Sequence, residues 1–401
     1  MFAARAAPDP RTTGLLAPKP RHVPELDGLR AAAVLLVLWA HFPYVAASPA
    51  SFAFWKFSQV LRTGYIGVDL FFVLSGFLIT RILLSERDST GSISFSRFYL
   101  KRVLRIFPIY YLCVAIYAMT FAHGDGDVLG LATYTFNYYK PFHPAPSALE
   151  HTWSLSVEEQ FYLLWPLIIS ATPRSWGRAL TGAIIPLIGF VIAVGVALSL
   201  DSEVAATVIY MSGPTRMISL SLGAYLAFRE VAADRLALPH AAGLLALGVA
   251  VLAADNAGRS AHLIPPGGFY WCLALAGYAA LSMGTVALAI GADNAVLAPV
   301  KAVLRLPLLR YIGRISYGLY LYHYLILFLF GLAPYQTEGV GTGFSQAAMA
   351  LIATFAVAGL SYELLENPLL RLKERLSTRQ PLRRPLAVGA EPTASDLTPH
   401  G

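Results

Sequence analysis

Long apolar stretches recur along the chain from residue 29 to residue 364, separated by short segments that contain Arg, Lys, Pro and Gly. Most are roughly 17–22 residues long, which is the length that an α-helix needs to cross a bilayer. The pattern therefore predicts an all-α, polytopic membrane protein with about ten transmembrane helices. We place these at residues 29–47, 65–84, 103–122, 154–171, 180–199, 207–228, 238–254, 269–290, 312–333 and 344–364.

The segment 128–140 is apolar and aromatic, but it is too short to span, so we expect it to lie at an interface or to re-enter the membrane. An even number of spans puts both termini on one side. In this arrangement 25 of the 30 Lys and Arg residues fall on that side, against four on the other. Basic residues accumulate on the cytoplasmic side of membrane proteins, so we predict that both termini are cytoplasmic.

The composition narrows the class of protein. Hydrophobic residues make up 56% of the chain and charged residues only 13%, whereas soluble domains carry about 25% charged residues. A cytosolic enzyme, a nucleic-acid binder and a disordered scaffold therefore fit poorly, in spite of the net charge of +7. The two cysteines, Cys113 and Cys272, lie in apolar runs and form neither a disulfide framework nor a zinc motif.

We divide the chain into three parts. Residues 1–24 are a cytoplasmic segment with no apolar leader, residues 25–372 form the membrane domain, and residues 373–401 form a basic cytoplasmic tail that we expect to be disordered. No long extramembrane domain is predicted. The chemistry is therefore expected from the membrane helices and their short loops.

Ionisable residues inside a bilayer are costly and often functional. The first helix carries Arg30 at its cytoplasmic end and His41 eleven residues later, about 16 Å further along the axis. A buried neutral imidazole can act as a general base. A packing histidine bonded to a backbone carbonyl fits the position as well.

Asp69 lies near the outer end of the second helix, at about the predicted depth of His41. There it could orient the histidine, as an aspartate does in hydrolase triads; it could also cap the helix or meet water. Arg102 and Arg105 share one face of the third helix near the cytoplasm. Such a pair suits a phosphorylated ligand, although it also fits an ordinary basic flank.

A further polar group follows at the start of the fourth helix, around adjacent Glu158 and Glu159. These side chains point about 100° apart on a helix. One of the carboxylates could accept a hydrogen bond from a sugar hydroxyl or support His41, and spacing alone does not decide which one. Trp153, and with it Tyr162 and Trp165, suits an aromatic belt at the membrane surface.

Three more ionisable side chains fall within or next to predicted helices. Arg216 is near mid-membrane and should pair with Glu158, Glu159 or Asp69, as an ion pair or a substrate contact. We expect His323 to pack or to bond a tyrosine, and Glu366 to pair with an arginine.

Taken together, these segments resemble acyltransferase family 3, the integral-membrane acyltransferases that O-acylate saccharides. The resemblance covers residues 24 to 372. It rests on Arg30 with His41, the run from Gly67 to Phe77, Arg102 with Arg105, the run from Trp153 to Tyr162, the run from Ile315 to His323, and Glu366-Asn367-Pro368. Only 37 residues follow Leu364, which predicts the form without an extracytoplasmic hydrolase-like domain.

The resemblance implies a cell-membrane enzyme that moves an acyl group, commonly acetyl, from acyl-CoA to a hydroxyl of a cell-surface polysaccharide or lipopolysaccharide. It implies His41 as the catalytic residue, supported by Asp69 and Glu158, and contacts of Arg30, Arg102 and Arg105 with acyl-CoA. Four further residues are candidates for substrate contact or for structure: Trp153, Ser156, Glu159 and Arg216.

Acyl-CoA is expected as a co-substrate, with neither a metal nor a bound cofactor, and nucleic acid is not an expected partner. Direct transfer and an acyl-histidine intermediate both remain open, as does the oligomeric state. The rival hypothesis is a proton-coupled transporter of a small solute or lipid-linked sugar, because buried Arg, Asp, Glu and His would also suit a carrier.

Overall fold

A computed structural model describes residues 22–45, 63–121, 125–260, 267–332 and 344–371. Within these ranges all regular structure is helical, and no strand occurs. The tail 373–401 and most of the segment 1–24 lie outside the described residues. The helices are α1 (Pro24–Val45), α2 (Thr63–Thr90), α3 (Phe95–Thr120), α4 (Asp125–Ala132), α5 (Phe136–Tyr139), α6 (Trp153–Ala171), α7 (Arg174–Ala179), α8 (Ile185–Ser199), α9 (Ser202–Met211), α10 (Gly213–Val231), α11 (Leu238–Ser260), α12 (Gly268–Ile290), α13 (Ala298–Leu304), α14 (Pro307–Arg314), α15 (Ser316–Leu329) and α16 (Phe344–Ser361).

Among the described residues, six helices are long and apolar enough to cross a membrane. They cover Gly64–Thr90, Phe95–Thr120, Arg174–Ser199, Leu238–Gly258, Gly268–Ile290 and Ser345–Arg371. The helix Arg174–Ser199 is continuous, because a π-helical turn at Leu180–Ile184 joins α7 to α8. The predicted count of about ten stays a prediction.

The helices outside this set are shorter or more polar. α15 has only 14 residues, and α1 carries Glu25, Asp27 and Arg30 in its first two turns. Both are packed inside the bundle, where α1 contacts α2, α14 and α15. Because neighbouring helices surround them, these helices need not be apolar on every side.

Two predicted helix boundaries were wrong. The predicted span 207–228 is two helices, because α9 ends at Met211 and Ser212 takes an extended backbone with φ −73° and ψ 142°. Pro214 follows in the first turn of α10, a position where its missing N–H is tolerated. The predicted span 312–333 is interrupted between α14 and α15.

The connection between α3 and α6 contains no long helix. The apolar segment 128–140, predicted to be too short to span, consists of the end of α4, the whole of α5 and the start of a 3₁₀ turn at Lys140–Phe142. Its location at an interface or as a re-entrant segment stays a prediction. The Lys140 ammonium is buried, and it lies 3.4 Å from the Glu150 carboxylate. This ion pair holds together the two ends of the loop 141–149, and it therefore fixes the position of the backbone just before α6.

Glycines allow α2 and α10 to pack backbone against backbone. A Cβ on Gly76 would lie 1.9 Å from the Leu220 carbonyl oxygen, and one on Gly223 would lie 2.0 Å from that of Val73. Small residues permit such close approach of membrane helices. The contact fixes the rotation of α2, and therefore which of its side chains face α3, α6 and α15.

Candidate active site

A cavity of about 220 Å³ lies between α1, α2, α3, α6 and α15. Its wall is apolar along α2 and charged where α1, α3 and α6 meet. The charged and polar lining residues are Arg30, Ser75, Arg102, Arg105, Ser154, Glu158, Glu159, Tyr162, Ser316, Tyr317 and Tyr320. The structure therefore brings together all three arginines that the sequence singled out as acyl-CoA contacts.

Among the residues that the structure describes, the three arginines have no carboxylate partner at direct contact. Arg30 donates from Nε and Nη2 to the Ser316 hydroxyl, at 3.3 and 3.2 Å. The Arg102 guanidinium lies over the rings of Phe98 and Tyr162, at 5.6 and 5.4 Å from their centroids. None of the ion pairs found among the described residues includes Arg30, Arg102 or Arg105. The cavity thus presents guanidinium groups that remain available to an anion.

Glu158 is held in the same cavity by hydroxyl groups. Its Oε1 accepts a hydrogen bond from Ser75 at 2.6 Å, and its Oε2 accepts one from Tyr162 at 3.3 Å. Glu159 also lines the cavity, so both carboxylates face the site.

The structure places Glu158 with the arginines and not beside His41. Its seven-residue distance from His151, just before α6, corresponds to about 10 Å along a helix axis. The His151 ring packs on the His323 ring, which in turn contacts His41. No described contact joins Glu158 to His41, so the structure gives no support to direct assistance of His41 by Glu158.

Asp69 belongs to a separate buried network. Its Oδ2 lies 2.9 Å from Arg216 Nη2, and its Oδ1 accepts a hydrogen bond from Ser219. The Asp69 and Arg216 side chains are both fully buried. The expectation that Arg216 pairs with an acidic residue is confirmed. Asp69 makes no described contact with His41, because both of its oxygens are directed toward α10.

The aromatic residues of α6 face the interior of the bundle. Trp153 contacts Arg216, with 5.5 Å between the ring centroid and the guanidinium carbon, and Trp165 donates to the Thr80 hydroxyl at 2.7 Å. Trp153, Tyr162 and Trp165 are all buried, so the expectation of a surface belt was wrong. Ser156 is buried too and donates to the carbonyl oxygen of Thr152, one turn earlier in the chain.

His41 lies in a group of three histidines. Its Nδ1 is 3.2 Å from Nε2 of His323, and its ring packs edge-on against Tyr324. The His151 ring is 4.6 Å from the His323 ring, centroid to centroid. No role was predicted for His151 from its position in the chain, and only packing or a tyrosine contact was expected of His323. The one available signal was that each histidine stands beside a motif of the family.

Tyr320 connects the cavity to the histidines. Its side chain lines the cavity, and its hydroxyl donates to the His151 carbonyl oxygen at 3.0 Å. Its own carbonyl oxygen accepts a hydrogen bond from His323 Nδ1 at 2.6 Å. One residue therefore contacts both halves of the site.

Glu366 follows α16 and is buried. Within the described ranges no arginine nitrogen lies within 4.0 Å of its carboxylate, so the predicted ion pair is not present as a direct contact. Its Oε1 instead lies 3.4 Å from the position that a Cβ would take at Gly318. The described residues also contain no group of three or more His, Cys, Asp or Glu side chains arranged to hold a metal ion.

A model of an acyltransferase domain, that of acyltransferase family 3, matches residues 23–363. The chain belongs to this family. The match includes every residue of the cavity wall and all three histidines of the site. With six long apolar helices in the described ranges, this member of acyltransferase family 3 is a multi-pass membrane protein.

The chain is similar to three curated relatives in this region. It is 28% identical to the peptidoglycan O-acetyltransferase OatA of Listeria monocytogenes, 30% identical to the putative peptidoglycan O-acetyltransferase YrhL of Bacillus subtilis, and 29% identical to the O-acetyltransferase OatA of Staphylococcus aureus. Each match covers 87% of this chain but only 55–57% of the relative. The chain thus spans somewhat more than half the length of these relatives. No solved structure matches it.

Proposed function

We propose that this chain is a membrane O-acyltransferase that moves an acyl group, with acetyl the first to test, from acyl-CoA to a hydroxyl of a cell-surface saccharide. The observation that carries the proposal is the cavity lined by Arg30, Arg102 and Arg105, none of them ion-paired at direct contact among the described residues. Arg30 is on the same helix as His41, so donor-binding groups and a candidate base share one element.

The arginines suit the phosphates of coenzyme A. Guanidinium groups bind phosphate through paired hydrogen bonds, and they keep their charge when buried. The cavity, at about 220 Å³, is smaller than the roughly 300–1,000 Å³ of sites for drug-sized ligands. We therefore expect it to enclose the pantetheine arm, while the nucleotide lies at or beyond its mouth.

The remaining length of α1 suits delivery of the thioester. His41 lies eleven residues beyond Arg30, about 16 Å along the helix axis, which is of the order that an extended pantetheine arm can bridge. Tyr320 lies between the cavity and the histidines, so the arm would pass this side chain on its way to His41.

In the proposed reaction, His41 takes the proton of the acceptor hydroxyl while that oxygen attacks the thioester carbonyl carbon. The carbon–sulfur bond then breaks, and the coenzyme A thiolate takes the proton from His41. If the acyl group instead passes through the histidine, the imidazole attacks the thioester carbonyl, and coenzyme A leaves as the thiolate and takes the imidazole proton. The acceptor oxygen then attacks the acyl-imidazole, and the acceptor's proton goes to the leaving imidazole. Both routes give an ester and free coenzyme A.

The acceptor is proposed from the relatives. The names of two of them specify peptidoglycan, which favours a cell-wall polysaccharide over lipopolysaccharide as the first acceptor to test. The proposal includes about ten spans, cytoplasmic termini and a site in the cell membrane, with the donor entering from the cytoplasm. The acceptor would meet His41 toward the opposite face.

The test is release of coenzyme A from acetyl-CoA by purified protein, with a soluble saccharide acceptor, in wild type and His41→Ala. We expect the rate to fall by a factor of at least ~100, which lies within the range for acid–base catalysis. His240→Ala is the matched control, because His240 is exposed at the start of α11, and it should keep the wild-type rate. If His41→Ala kept a tenth or more of the activity while eluting as wild type does, this mechanism would be wrong.

A further inference from the structure

The contacts of His41 decide which of its ring nitrogens is free to take a proton. In a neutral imidazole one ring nitrogen carries the proton and donates, and the other has a lone pair and accepts. The hydrogen-bond partner of one nitrogen therefore determines which of the two carries the proton. Nδ1 of His41 lies 3.2 Å from Nε2 of His323, and the Val37 carbonyl oxygen, one turn earlier in α1, also bonds the His41 ring and can only accept. The state of His323 therefore decides whether Nδ1 of His41 donates or accepts in the bond between the two rings.

The Tyr320 backbone fixes His323 in turn. His323 Nδ1 lies 2.6 Å from the Tyr320 carbonyl oxygen, which can only accept, so Nδ1 carries the proton. His323 is fully buried. In the part of the chain that the structure describes, the rings packed on it belong to His41, His151, Tyr320 and Tyr324, and none is negatively charged.

A buried, uncompensated imidazolium would be costly in these surroundings. A neutral His323 with Nδ1 protonated has its lone pair on Nε2, so it must accept a hydrogen bond from His41. His41 then carries its proton on Nδ1, and its lone pair is on Nε2.

We propose that His323 is the positioning residue that holds His41 as the tautomer with a basic Nε2. The inference rests on the proposed function insofar as His41 is taken to be the base. It assigns to a neutral imidazole the part that a carboxylate plays in hydrolase triads. When His41 takes the acceptor's proton on Nε2, its Nδ1–H bond to His323 becomes charge-assisted and strengthens.

The same arrangement gives Tyr320 a coupling role. Its carbonyl oxygen holds His323, while its side chain lines the cavity proposed for the donor. A donor that shifts Tyr320 would therefore change the His323 ring that orients His41. The direct evidence for the inference remains the pair of hydrogen bonds made by His323.

The first test is spectroscopic and needs no enzymatic activity. Full-length protein with ¹⁵N-labelled histidine is studied in detergent, and the His41 signals are assigned by their absence from His41→Gln. We expect wild-type His41 to be protonated on Nδ1 and unprotonated on Nε2. Wild-type His41 protonated on Nε2 would overturn the proposal, even if acyl transfer depended fully on His41.

The second test is kinetic. His323→Phe keeps a ring but removes the acceptor, and we expect kcat to fall by about 10–100-fold, as for the loss of other supporting partners, with little change in KM for acyl-CoA. His323→Gln can place an amide oxygen near the lost Nε2, and it should restore most of kcat and the wild-type tautomer.

His151→Phe is the matched control for packing. The His151 ring contacts His323 and is equally buried, but neither of its nitrogens has a hydrogen-bond partner among the described residues. If His323 acts through its hydrogen bond, His151→Phe leaves His41 protonated on Nδ1, whereas His323→Phe loses this state. Loss of this tautomer in both phenylalanine variants, or a rise in KM at unchanged kcat in His323→Phe, would reduce His323 to a packing residue.

Discussion

Arg102 and Arg105 occupy the same face of α3, but their surroundings differ. Arg102 is stacked on Phe98 and Tyr162, and its Nε is buried without a hydrogen-bond partner among the described residues. Arg105 lines the cavity, and no ring in the described ranges stacks on its guanidinium. We infer that Arg105 acts in ligand binding only, whereas Arg102 acts in ligand binding and also stabilises the packing of α3 on α6.

This difference leads to a prediction for lysine substitutions, which keep the charge but lose the planar guanidinium. Arg105→Lys should raise KM for acyl-CoA by roughly tenfold to a hundredfold, since a charge-assisted bond contributes ~1.5–3 kcal/mol, and its rate should recover at high donor concentration. Arg102→Lys should show the same rise together with a lower melting temperature. Initial rates against acyl-CoA concentration, with thermal unfolding in detergent, measure both.

The control is Arg97→Lys. Arg97 lies further toward the start of α3, pairs with Glu86 at 3.6 Å and does not line the cavity, so its replacement should be silent. If KM were unchanged in Arg102→Lys and Arg105→Lys as well, the pair would be an ordinary basic flank.

At the residue scale, the sequence identifies candidate site residues better than it predicts which of them are in contact. Eleven residues of one helix fix the separation of Arg30 and His41, and Arg102 with Arg105 share a face by periodicity. Asp69 and His41 were paired only because their estimated depths agree. Depth does not fix the rotation of a helix, and the packing of α2 on α10 turns Asp69 toward Arg216.

At the scale of the elements, hydrophobic length finds the apolar helices well. The predicted spans 154–171 and 269–290 correspond to α6 at Trp153–Ala171 and α12 at Gly268–Ile290. The errors lie where the chain breaks inside an apolar run, as at Ser212. Apolar composition continues across that break, so only the backbone signal of Pro214 could have indicated it.

The contact between α2 and α10 gives a prediction about stability. Gly76→Ala would push a methyl group into the Leu220 carbonyl, at 1.9 Å in the present backbone, so the helices must separate. Overpacking of this kind typically costs about 1–3 kcal/mol. We expect a lower free energy of unfolding in mixed micelles, with lower activity, because α2 carries Ser75 and much of the cavity wall.

Gly195→Ala is the matched control on α8, because a Cβ there meets nothing within 4 Å. Alanine is favoured over glycine in a helix interior by about 1 kcal/mol, so this variant should be as stable as wild type or more so. Equal stability of Gly76→Ala and Gly195→Ala would contradict the close approach of α2 and α10.

At the scale of the whole molecule, α3 relates the cavity to the two faces of the membrane. Its 26 residues correspond to about 39 Å, more than the hydrocarbon core of a bilayer. We therefore expect the turn before it and the loop after it to lie on opposite faces. Arg105 comes ten residues after Phe95, so Arg102 and Arg105 both lie in the half of α3 nearer the preceding turn. The distribution of basic residues predicts that this turn is cytoplasmic, on the side from which the proposed donor enters.

Cysteine labelling in whole cells tests this orientation. Cys113 and Cys272 are both buried and are replaced by Ala, and then a single cysteine is introduced at Ser92, before α3, or at His143, after α4 and α5; both positions are exposed. A membrane-impermeant maleimide should label His143→Cys in intact cells, and it should label Ser92→Cys only after the membrane is opened. The reverse result would place Arg102 and Arg105 toward the outer face, away from acyl-CoA, and the proposed route of the donor would fail. Labelling of both in intact cells would instead show that α3 does not span.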